Sequence, residues 1–463
     1  MSWPALVRMG DGADLETILE TNRLDEARAA LDRQEPIWAG AVARAVGATA
    51  TSGRPGYFVV NPVGIARRVA VLLPDAAADL RPEKPLRAAQ FTDEGVWGVV
   101  DLPAFGYAWV PRDANPEVTP PATGALSVRG RTLRNESLLV EIDETTGGIR
   151  SLRGIDEEVA RVGQQLIING LTGPDGAAAP SKMRAEKFEV DYGGPALVQA
   201  FTKGTLHDPR DDRPLARFHQ RFRLWSGRPI LEVEITLSDL DPAWLERIAK
   251  ADPWTENLSC RWAWPDANSM HRRTHLLTPE ITEADRPETP DAFDISTRRH
   301  LTALLFGGLA HHRRHGARMM DTILLAGREA ARTFHVGSAL ELEHPYQAAL
   351  DVISPAYVVA TDAGPPKTGP AGWLFQLDQK AIAVTRVEYV EPVGDERGWG
   401  IAFHLLETSG RPGRCRLRMF RNPVWARQTD FQNELIVDLP IEGDSVLIDL
   451  TPHEMARIDV TLS

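Results

Sequence analysis

The segment from Leu133 to Arg153 constrains the fold most strongly, because it has the pattern of two extended strands joined by a tight turn. Leu138, Val140 and Ile142 alternate with the residues between them, which is the two-residue period of a strand that buries one face. Residues 144–148, rich in Thr and Gly, are turn formers, and the apolar pattern resumes after them. The segment therefore predicts a β-hairpin.

Similar alternating runs fill most of the chain after residue 56, separated by clusters of proline and glycine. Many strands without intervening helices are typical of antiparallel sandwiches, so we expect a mainly β protein built of antiparallel β-sandwich or supersandwich domains. The predicted strands include Ala70 to Leu73, Val96 to Val100, Phe218 to Trp225, Leu231 to Leu237, Thr302 to Leu305, Thr322 to Leu325, Tyr357 to Ala360, Ile382 to Val390, Ile401 to Leu406 and Val446 to Leu450.

The first 52 residues differ from the rest, because their apolar residues recur at helical spacing. Three short helices are expected there, with Pro36 suited to a first turn and Gly47 to a C-terminal cap. Proline-rich residues 113–123 have the composition of a linker, and so does the stretch Ala363 to Gly372.

Composition excludes several classes of function. With 463 residues the chain is long enough for about two to four domains, and its net charge of −12 argues against a nucleic acid partner. The two cysteines, Cys260 and Cys415, predict no disulfide framework and no cysteine-based metal site. No apolar run is long enough to span a membrane, and residues 1–14 lack the pattern of a signal peptide, so we expect a cytoplasmic protein without membrane contact.

The hairpin resembles the opening hairpin of the large β-sandwich in glycoside hydrolase family 38, the α-mannosidases, which contains a galactose-mutarotase-like supersandwich. In that family one strand has the pattern N-x-x-L-x-V-x-I/F-D, and a Gly-Gly-Ile turn and Ser-Leu follow it. The matching residues are Asn135, Leu138, Val140, Ile142, Asp143, Gly147, Gly148, Ile149, Ser151 and Leu152.

Four further segments resemble that family in the same order along the chain. They are Phe58 to Pro62, Phe105 to Trp109, Gln220 to Leu237, and the C-terminal stretch that includes Cys415 to Phe420 and Ala456 to Leu462. The resemblance implies a helical segment at 1–52, a small β-domain at 56–112, a large supersandwich at 124–390 and a small C-terminal sandwich at 391–463. It also implies a carbohydrate partner, an α-mannoside-like glycan, and assembly of the chain with itself.

The family's chemistry lies in an N-terminal barrel domain that binds zinc, and the resemblance does not extend to it. About fifty residues precede the first β-domain, too few for a barrel, and none of them is a histidine. We therefore expect a non-catalytic C-terminal β-region that supports and lines a carbohydrate site, with no catalytic residue, metal ligand or cofactor of its own. Zinc or another divalent metal is expected only in the absent catalytic domain.

One segment of the β-region is a candidate sugar contact. Its His-Arg-Arg core, His312, Arg313 and Arg314, resembles a strand end from which the family's β-region extends an arginine towards the sugar pocket, and Asp321 follows nearby. A guanidinium group can hydrogen-bond two neighbouring hydroxyls at once. The alternative is a basic turn paired with Asp321, Glu329 or Glu341, and the sequence leaves open which arginine points inward.

Other residue sets are weaker candidates. His207 to Asp212 has the ligand types of a divalent metal site but also the composition of a solvated turn, and His219 with Glu232 and Glu234 fits a mutarotase-like acid and base or the polar face of a strand. Six tryptophans offer sugar-stacking rings or core packing: Trp254, Trp262, Trp264, Trp373, Trp399 and Trp425. Two alternative functions remain open, a stand-alone carbohydrate-binding protein and a mutarotase-like sugar epimerase.

Overall fold

The structure, a computed structural model, describes residues 37, 39–44, 47, 53–113, 126–275, 277–392 and 398–463. The described residues form two compact units, one of those within 121–353 and the other of those before residue 121 together with those within 354–463. Strands within each sheet pair in antiparallel fashion, as the alternating sequence predicts.

The unit of residues 121–353 contains an eight-stranded sheet with the spatial order β20-β21-β15-β10-β9-β8-β7-β6. Its strands are β6 Ser127–Arg129, β7 Thr132–Arg134, β8 Leu138–Ile142, β9 Ile149–Gly154, β10 Val162–Ile168, β15 Leu258–Ala263, β20 His312–Arg314 and β21 Met319–Leu325.

A nine-stranded sheet of the same unit has the order β11-β12-β13-β14-β22-β19-β18-β16-β17. Its strands are β11 Lys182–Gly193, β12 Leu197–His207, β13 Pro214–Trp225, β14 Ile230–Ser238, β16 Met270–His275, β17 Thr278–Ile281, β18 Ala292–Ser296, β19 Leu301–Leu305 and β22 Thr333–Leu340. Alternate residues of the two sheets form one large apolar core that includes Val140, Leu166, Phe222, Val233 and Trp262.

The predicted hairpin is β8 and β9, and the polar residues of its motif hold it to the rest of the unit through hydrogen bonds. Asn135 is fully buried, and its side-chain amide donates to the carbonyl oxygens of Trp225, at 3.0 Å, and Arg228, at 2.8 Å. Its Oδ1 accepts from the backbone N–H groups of Ser137 and Leu138. Asn135 therefore joins the strand that precedes the hairpin in the eight-stranded sheet to the β13–β14 turn of the nine-stranded sheet.

The tip of the hairpin is fixed by its side chains and by a glycine. Asp143 Oδ1 accepts from the backbone N–H groups of Thr145 and Thr146, and Gly147 has a φ of 76°, which favours glycine. Gly147 O in turn accepts hydrogen bonds from Thr202 Oγ1 and from Gln220 Nε2. The turn of one sheet is thus bound to the inner side chains of the other.

Two short helices belong to this unit, α1 Pro242–Ile248 and α2 Pro345–Ile353. Helix α1 begins as its sequence predicts, with Asp241 as N-cap accepting from Trp244 N at 2.7 Å and Pro242 in the first turn. Helix α2 packs its alanines on the outer face of the nine-stranded sheet. The buried Arg228 holds this helix through Asp351, at 2.7 Å, and also pairs with Glu232.

The other unit contains a four-stranded sheet, in the order β23-β1-β5-β24, and a three-stranded sheet, in the order β2-β4-β3, with an apolar core between them. The strands are β1 Gly56–Val60, β2 Arg67–Leu73, β3 Leu86–Thr92, β4 Gly95–Leu102, β5 Gly106–Pro111, β23 Tyr357–Thr361 and β24 Ala371–Trp373. Residues 37, 39–44 and 47 are helical, and Ala43 packs against Phe58, Tyr107 and Trp109 of the four-stranded sheet.

The same unit ends in a small sandwich of a four-stranded sheet, β25-β28-β32-β31, and a five-stranded sheet, β26-β27-β33-β29-β30. The strands are β25 Phe375–Leu377, β26 Ile382–Val390, β27 Trp399–Glu407, β28 Gly413–Met419, β29 Pro423–Thr429, β30 Leu435–Asp438, β31 Ile441–Glu442, β32 Ser445–Leu450 and β33 Met455–Leu462. Its core includes the aromatic pair Phe375 and Phe403, whose ring centroids lie 4.8 Å apart.

The predicted fold class, mainly β with antiparallel sandwiches, is confirmed. The predicted domain bounds stay predictions, and strands β23 and β24 fall inside the range 124–390 although they complete the sheet of β1 and β5. Most of the predicted helical segment 1–52 and of the linker 113–123 lies outside the described residues. Among the described helices, none is long and apolar enough to cross a membrane.

Candidate functional site

The outer face of the eight-stranded sheet carries charged residues on three adjacent strands. Pairing places Arg313 of β20 opposite Asp321 of β21, and Asp321 opposite Arg261 of β15. Residues directly opposite each other share one face of a sheet. The neighbouring row on the other face contains Met320 and Trp262, which belong to the apolar core. The charged row therefore lies away from the core.

Asp321 is the centre of this charged row, with a side chain that is only 1% exposed. Arg261 binds both of its carboxylate oxygens in a forked arrangement, at 2.7 and 2.9 Å. His315 Nε2 lies 2.7 Å from Oδ2, and Asn169 donates to the same oxygen at 3.0 Å. We call Asn169, Arg261, His315 and Asp321 the Asp321 cluster.

The hydrogen bonds of the cluster determine the ionisation of Asp321. Burial on its own raises the pKa of a carboxyl group, but the hydrogen bonds from Arg261 and His315 and their positive charges outweigh it and lower the pKa of Asp321. The carboxylate is therefore charged at neutral pH. Asn257 and Ser259 extend the network, because Asn257 Oδ1 accepts from Asn169 and from Ser259 Oγ.

Beside the Asp321 cluster, Arg313 is half-buried and its Nη1 donates to the backbone oxygen of Trp254 at 2.6 Å. The indole of Trp254 meets the imidazole of His311 edge to face, with centroids 5.6 Å apart. Arg286 lies over the same indole at 5.1 Å from its centroid. An accessible indole and cationic groups are the types of side chain that bind sugars.

The remaining two predicted residues of the segment face the inside of the sandwich. His312 is fully buried, its ring packs on Phe306 with centroids 3.9 Å apart, and its nitrogens lie near Thr322 Oγ1, at 3.2 Å, and Thr289 O, at 2.9 Å. Burial lowers the pKa of His312 to about 4, so the ring is neutral at neutral pH. Arg314 stands opposite the core residue Met320.

Relative to the core of the sandwich, Arg314 faces inward and Arg313 outward, and which of the two points towards a sugar stays a prediction. A sugar-contacting role for His312, Arg313, Arg314 and Asp321 stays a prediction, and two of the four, His312 and Asp321, are buried. The alternative pairing of the arginines with Asp321, Glu329 or Glu341 does not occur among the described ion pairs. Asp321 instead binds Arg261 and His315, and Glu341 binds Arg161.

The other two candidate sets, the turn of His207 to Asp212 and the strand residues His219, Glu232 and Glu234, contain carboxylates that form ion pairs. In the turn after β12, Arg184 binds both carboxylate oxygens of the exposed Asp212, and His207 Nδ1 contacts Asp212 O at 2.8 Å. The guanidinium group of Arg184 thus occupies the position at which the metal-site hypothesis would put a metal ion. The ion pair fits the solvated-turn alternative.

On the outer face of the nine-stranded sheet, the glutamates of the mutarotase-like alternative already have partners. Glu232 accepts from Trp225 Nε1 at 2.8 Å and from Arg228 at 2.6 Å, and Glu234 accepts from Arg221 at 3.2 Å. Burial and nearby Lys203 and Arg221 lower the pKa of His219. Carboxylates held in ion pairs are poor general bases, so this arrangement favours the polar-face alternative.

One group of described residues has ligand atoms close enough for a metal ion, namely Glu157, His300 and Glu341, with all three atoms within 4.8 Å of one another. Arg161 donates to both glutamates and is 8% exposed. Its hydrogen bonds, together with its positive charge, lower the pKa of Glu157. A buried guanidinium already neutralises these carboxylates, so the group does not fit a metal ion and is an ion-pair network.

The tryptophans divide between core and surface. Trp262 and Trp264 are buried, in agreement with core packing, whereas Trp254 and Trp425 are half-buried and Trp399 is 56% exposed. Sequence analysis missed Arg261 and Asn169 of the Asp321 cluster, whereas His315 lies in the candidate segment itself, six residues before Asp321. Asp321 lies 60 residues from Arg261 and 152 from Asn169, so only the strand register brings these residues together.

Comparison with known proteins finds solved structures with a similar fold but no match by sequence. No protein-family model matches the sequence, and no curated protein matches it. An α-mannosidase from Enterococcus faecalis V583 is similar in structure over 89% of this chain and 56% of its own, with a TM-score of 0.60 and 11% identity. A glycosyl hydrolase family 38 protein from Enterococcus faecalis is similar over 96% of this chain and 62% of its own, with a TM-score of 0.65 and 12% identity.

The galactose mutarotase related enzyme from Lactobacillus acidophilus aligns with 46% of this chain at a TM-score of 0.28, which is too low to support a conclusion. This chain spans 56 and 62% of the length of the two family 38 structures. At these low identities the likeness shows a shared fold, and that fold is consistent with the C-terminal β-region expected from the sequence. The described residues therefore have the fold of part of the family 38 glycoside hydrolases.

Proposed function

We propose that this chain is the non-catalytic β-region of an α-mannosidase-like glycoside hydrolase, and that it supports and lines a carbohydrate site whose chemistry resides in a separate catalytic domain. One observation carries the proposal: nearly the whole chain shares its fold with family 38 structures that are considerably longer than it is. In this proposal a divalent metal, zinc above all, is held by the catalytic domain.

Within the proposed function, the Asp321 cluster and Arg313 form the face that meets the carbohydrate. Arg261, His315 and Asp321 are rigidly hydrogen-bonded to one another, and Arg313 is the adjacent outward cation. Asp321 is 1% exposed and already accepts from Arg261, His315 and Asn169, so in this proposal it holds its neighbours in place. The guanidinium group of Arg313 is the donor that meets the hydroxyls of an α-mannoside-like glycan. His312 and Arg314 serve in this account to anchor β20 to the core.

The test replaces Arg313 and Arg314 separately by alanine in the protein isolated from its source, in whatever assembly it occurs. Turnover of an aryl α-mannoside is then measured at several substrate concentrations. We expect Arg313→Ala to weaken binding of the transition state by roughly 1.5–3 kcal/mol, the scale of a hydrogen bond to a charged group, with little change in thermal unfolding.

Arg314→Ala is the matched control, because it removes the same group from the inward face of the same strand. It should lower the unfolding temperature and leave kcat/KM of the folded fraction unchanged. Equal kcat/KM for wild type and Arg313→Ala would contradict the assignment of this face to the carbohydrate. Absence of glycosidase activity from the native assembly would contradict the proposed function itself.

A further inference from the structure

A cavity of about 280 Å³ lies on the outer face of the five-stranded sheet in the small C-terminal sandwich. Strand β29 contributes Trp425 and Arg427, strand β33 contributes Arg457 and Asp459, and Asn433 lies in the turn between β29 and β30. The cavity is close in size to the smaller ligand pockets of proteins, about 300 Å³. It belongs to a different compact unit from the Asp321 cluster.

The strand pairing shows what bounds the cavity beside β27. On β27 the residues opposite Thr461 and Asp459 are Gly400 and Ala402, which have the smallest side chains. A Cβ atom added to Gly400 would lie 2.2 Å from Val390 O, so the backbone that follows β26 passes close over this position, and Val390 and Glu391 line the cavity there. The alternate residues Val460 and Ala426 point into the apolar core, so the sheet beneath the cavity is firmly supported.

The floor of the cavity alternates hydrogen-bond donors and acceptors. Asp459 Oδ1 accepts from Arg457 Nε at 3.0 Å, and Asp459 Oδ2 accepts from Arg427 Nη2 at 3.4 Å. The side chain of Asp459 is only 6% exposed. Arg427 Nε is buried and has no hydrogen-bond partner among the described residues. The side chain of Arg427 as a whole is 23% exposed and lines the cavity.

Charge and aromatic character indicate the class of ligand. The cavity is lined by two guanidinium groups, of Arg427 and Arg457, and by two carboxylates, of Asp459 and Glu391. The net charge of the lining is therefore close to zero, which does not favour an anion. Trp425 is half-buried, with Arg427 stacked over its ring at 4.8 Å from the centroid. An aromatic ring beside paired guanidinium and carboxylate groups complements a sugar ring, which has apolar C–H faces and a rim of hydroxyls.

We propose that this cavity binds one neutral pyranose ring of a glycan. In this binding mode Trp425 contacts an apolar face of the sugar, and Arg427 and Asp459 hydrogen-bond neighbouring hydroxyls. The site involves no bond making or breaking. It does not depend on the proposed function above, because a sugar-binding surface in this unit requires no catalytic domain.

The test titrates the full chain with neutral methyl hexopyranosides of the manno, gluco and galacto series and their linear tetrasaccharides. Binding is followed by tryptophan fluorescence and by saturation-transfer NMR. We expect weak binding of at least one series, weakened roughly tenfold by Trp425→Ala and retained by Trp425→Phe, which keeps an aromatic ring. Asn433→Gly should weaken binding about threefold, since it removes one exposed amide, and glycine tolerates the φ of 69° at this position.

Trp399→Ala is the matched control. Trp399 is an exposed tryptophan of the same sheet, its ring is also stacked by an arginine, Arg421, and it does not line the cavity. Its replacement should leave affinity unchanged. Thermal unfolding of each variant identifies any loss of folding, and if Trp425→Ala fails to fold, Asn433→Gly decides alone. The proposal is overturned if none of these sugars binds, if the cavity variants bind like wild type, or if inorganic phosphate binds there instead.

Discussion

At the scale of single residues, Asp321 is a buried side chain that stays charged although it lies on the outer face of a sheet. Its carboxylate is almost completely buried, yet it stays ionised because Arg261 and His315 donate to it. The strand register supplies Arg261, and the turn between β20 and β21 supplies His315. Asp321 therefore matters more to stability than an exposed ion pair of the same geometry would.

We predict that Asp321→Asn lowers the free energy of unfolding by about 3 kcal/mol at pH 7, because it leaves a partly buried arginine without its counter-charge. Asp449→Asn is the control, since Arg414 binds Asp449 in the same forked arrangement at a fully exposed site, and it should have no measurable effect. Urea unfolding followed by fluorescence gives both values. Equal losses of unfolding free energy for the two substitutions would contradict the claim that burial makes the Asp321–Arg261 pair the stronger one.

The pH dependence of this pair has a definite sign. The folded pKa of Asp321 lies below the value of about 3.9 in an unfolded chain, so the stabilisation is complete above about pH 4 and is lost as the pH falls through the folded pKa. The stability difference between wild type and Asp321→Asn should therefore narrow below pH 4. A difference that stays constant down to acid unfolding would argue against an ionised Asp321.

Asp294 behaves in the opposite way. It lies beside Arg272 at 3.3 Å, but burial outweighs this attraction and raises the pKa of Asp294 to about 7. Its neutral form is favoured by folding, so the protein loses stability as the pH rises from about 4 to about 7. We predict that Asp294→Asn increases the free energy of unfolding by roughly 2–4 kcal/mol at pH 8 and by almost nothing at pH 4. If the variant is less stable than wild type at pH 8, the attraction between Asp294 and Arg272 outweighs the cost of burying the carboxylate.

At the scale of elements, the β8–β9 hairpin connects the two sheets of the sandwich through buried side-chain amides. Asn135 makes four hydrogen bonds with backbone groups, two as donor and two as acceptor. Its replacement leaves several buried backbone groups without partners. The family-like pattern that includes Asn135 is thus explained by the architecture of the sandwich.

We predict that Asn135→Ala costs about 3 kcal/mol of stability, because each unsatisfied buried polar group costs about 1–3 kcal/mol. Asn268→Ala, at an exposed loop position of the same unit, should be neutral. Thermal and urea unfolding measure both changes. A loss below about 1 kcal/mol for Asn135→Ala would mean that solvent replaces these hydrogen bonds.

Elements also show how far the sequence predicts this structure. The strand predicted at Ile382 to Val390 has these bounds in the structure, and the hairpin is found where alternation and turn residues place it. By contrast, β24 lies partly in a stretch predicted as a linker, because its three residues form a strand only by pairing with β5. The Asp321 cluster could not be predicted for the same reason, since Arg261 and Asn169 join it through non-local strand pairing.

At the scale of the whole molecule, two compact units of antiparallel sheets account for the described residues, and the fold is shared with much longer glycoside hydrolases. Fold alone does not establish chemistry. Several charged residues of the candidate sites form ion pairs, as Arg161 does with its two glutamates and Asp321 with Arg261, whereas Arg313 donates to a backbone oxygen. This arrangement suits a region that supports and lines a site.

The most direct test of the proposed function is turnover of an aryl α-mannoside by the purified 463-residue chain, with and without added Zn²⁺, beside the native assembly at equal concentration of this chain. The account predicts no turnover by the chain alone under either condition and metal-dependent turnover by the native assembly, because a catalytic zinc site needs about three protein ligands and an open position. Turnover by the chain alone that a chelator abolishes and Zn²⁺ restores would contradict it.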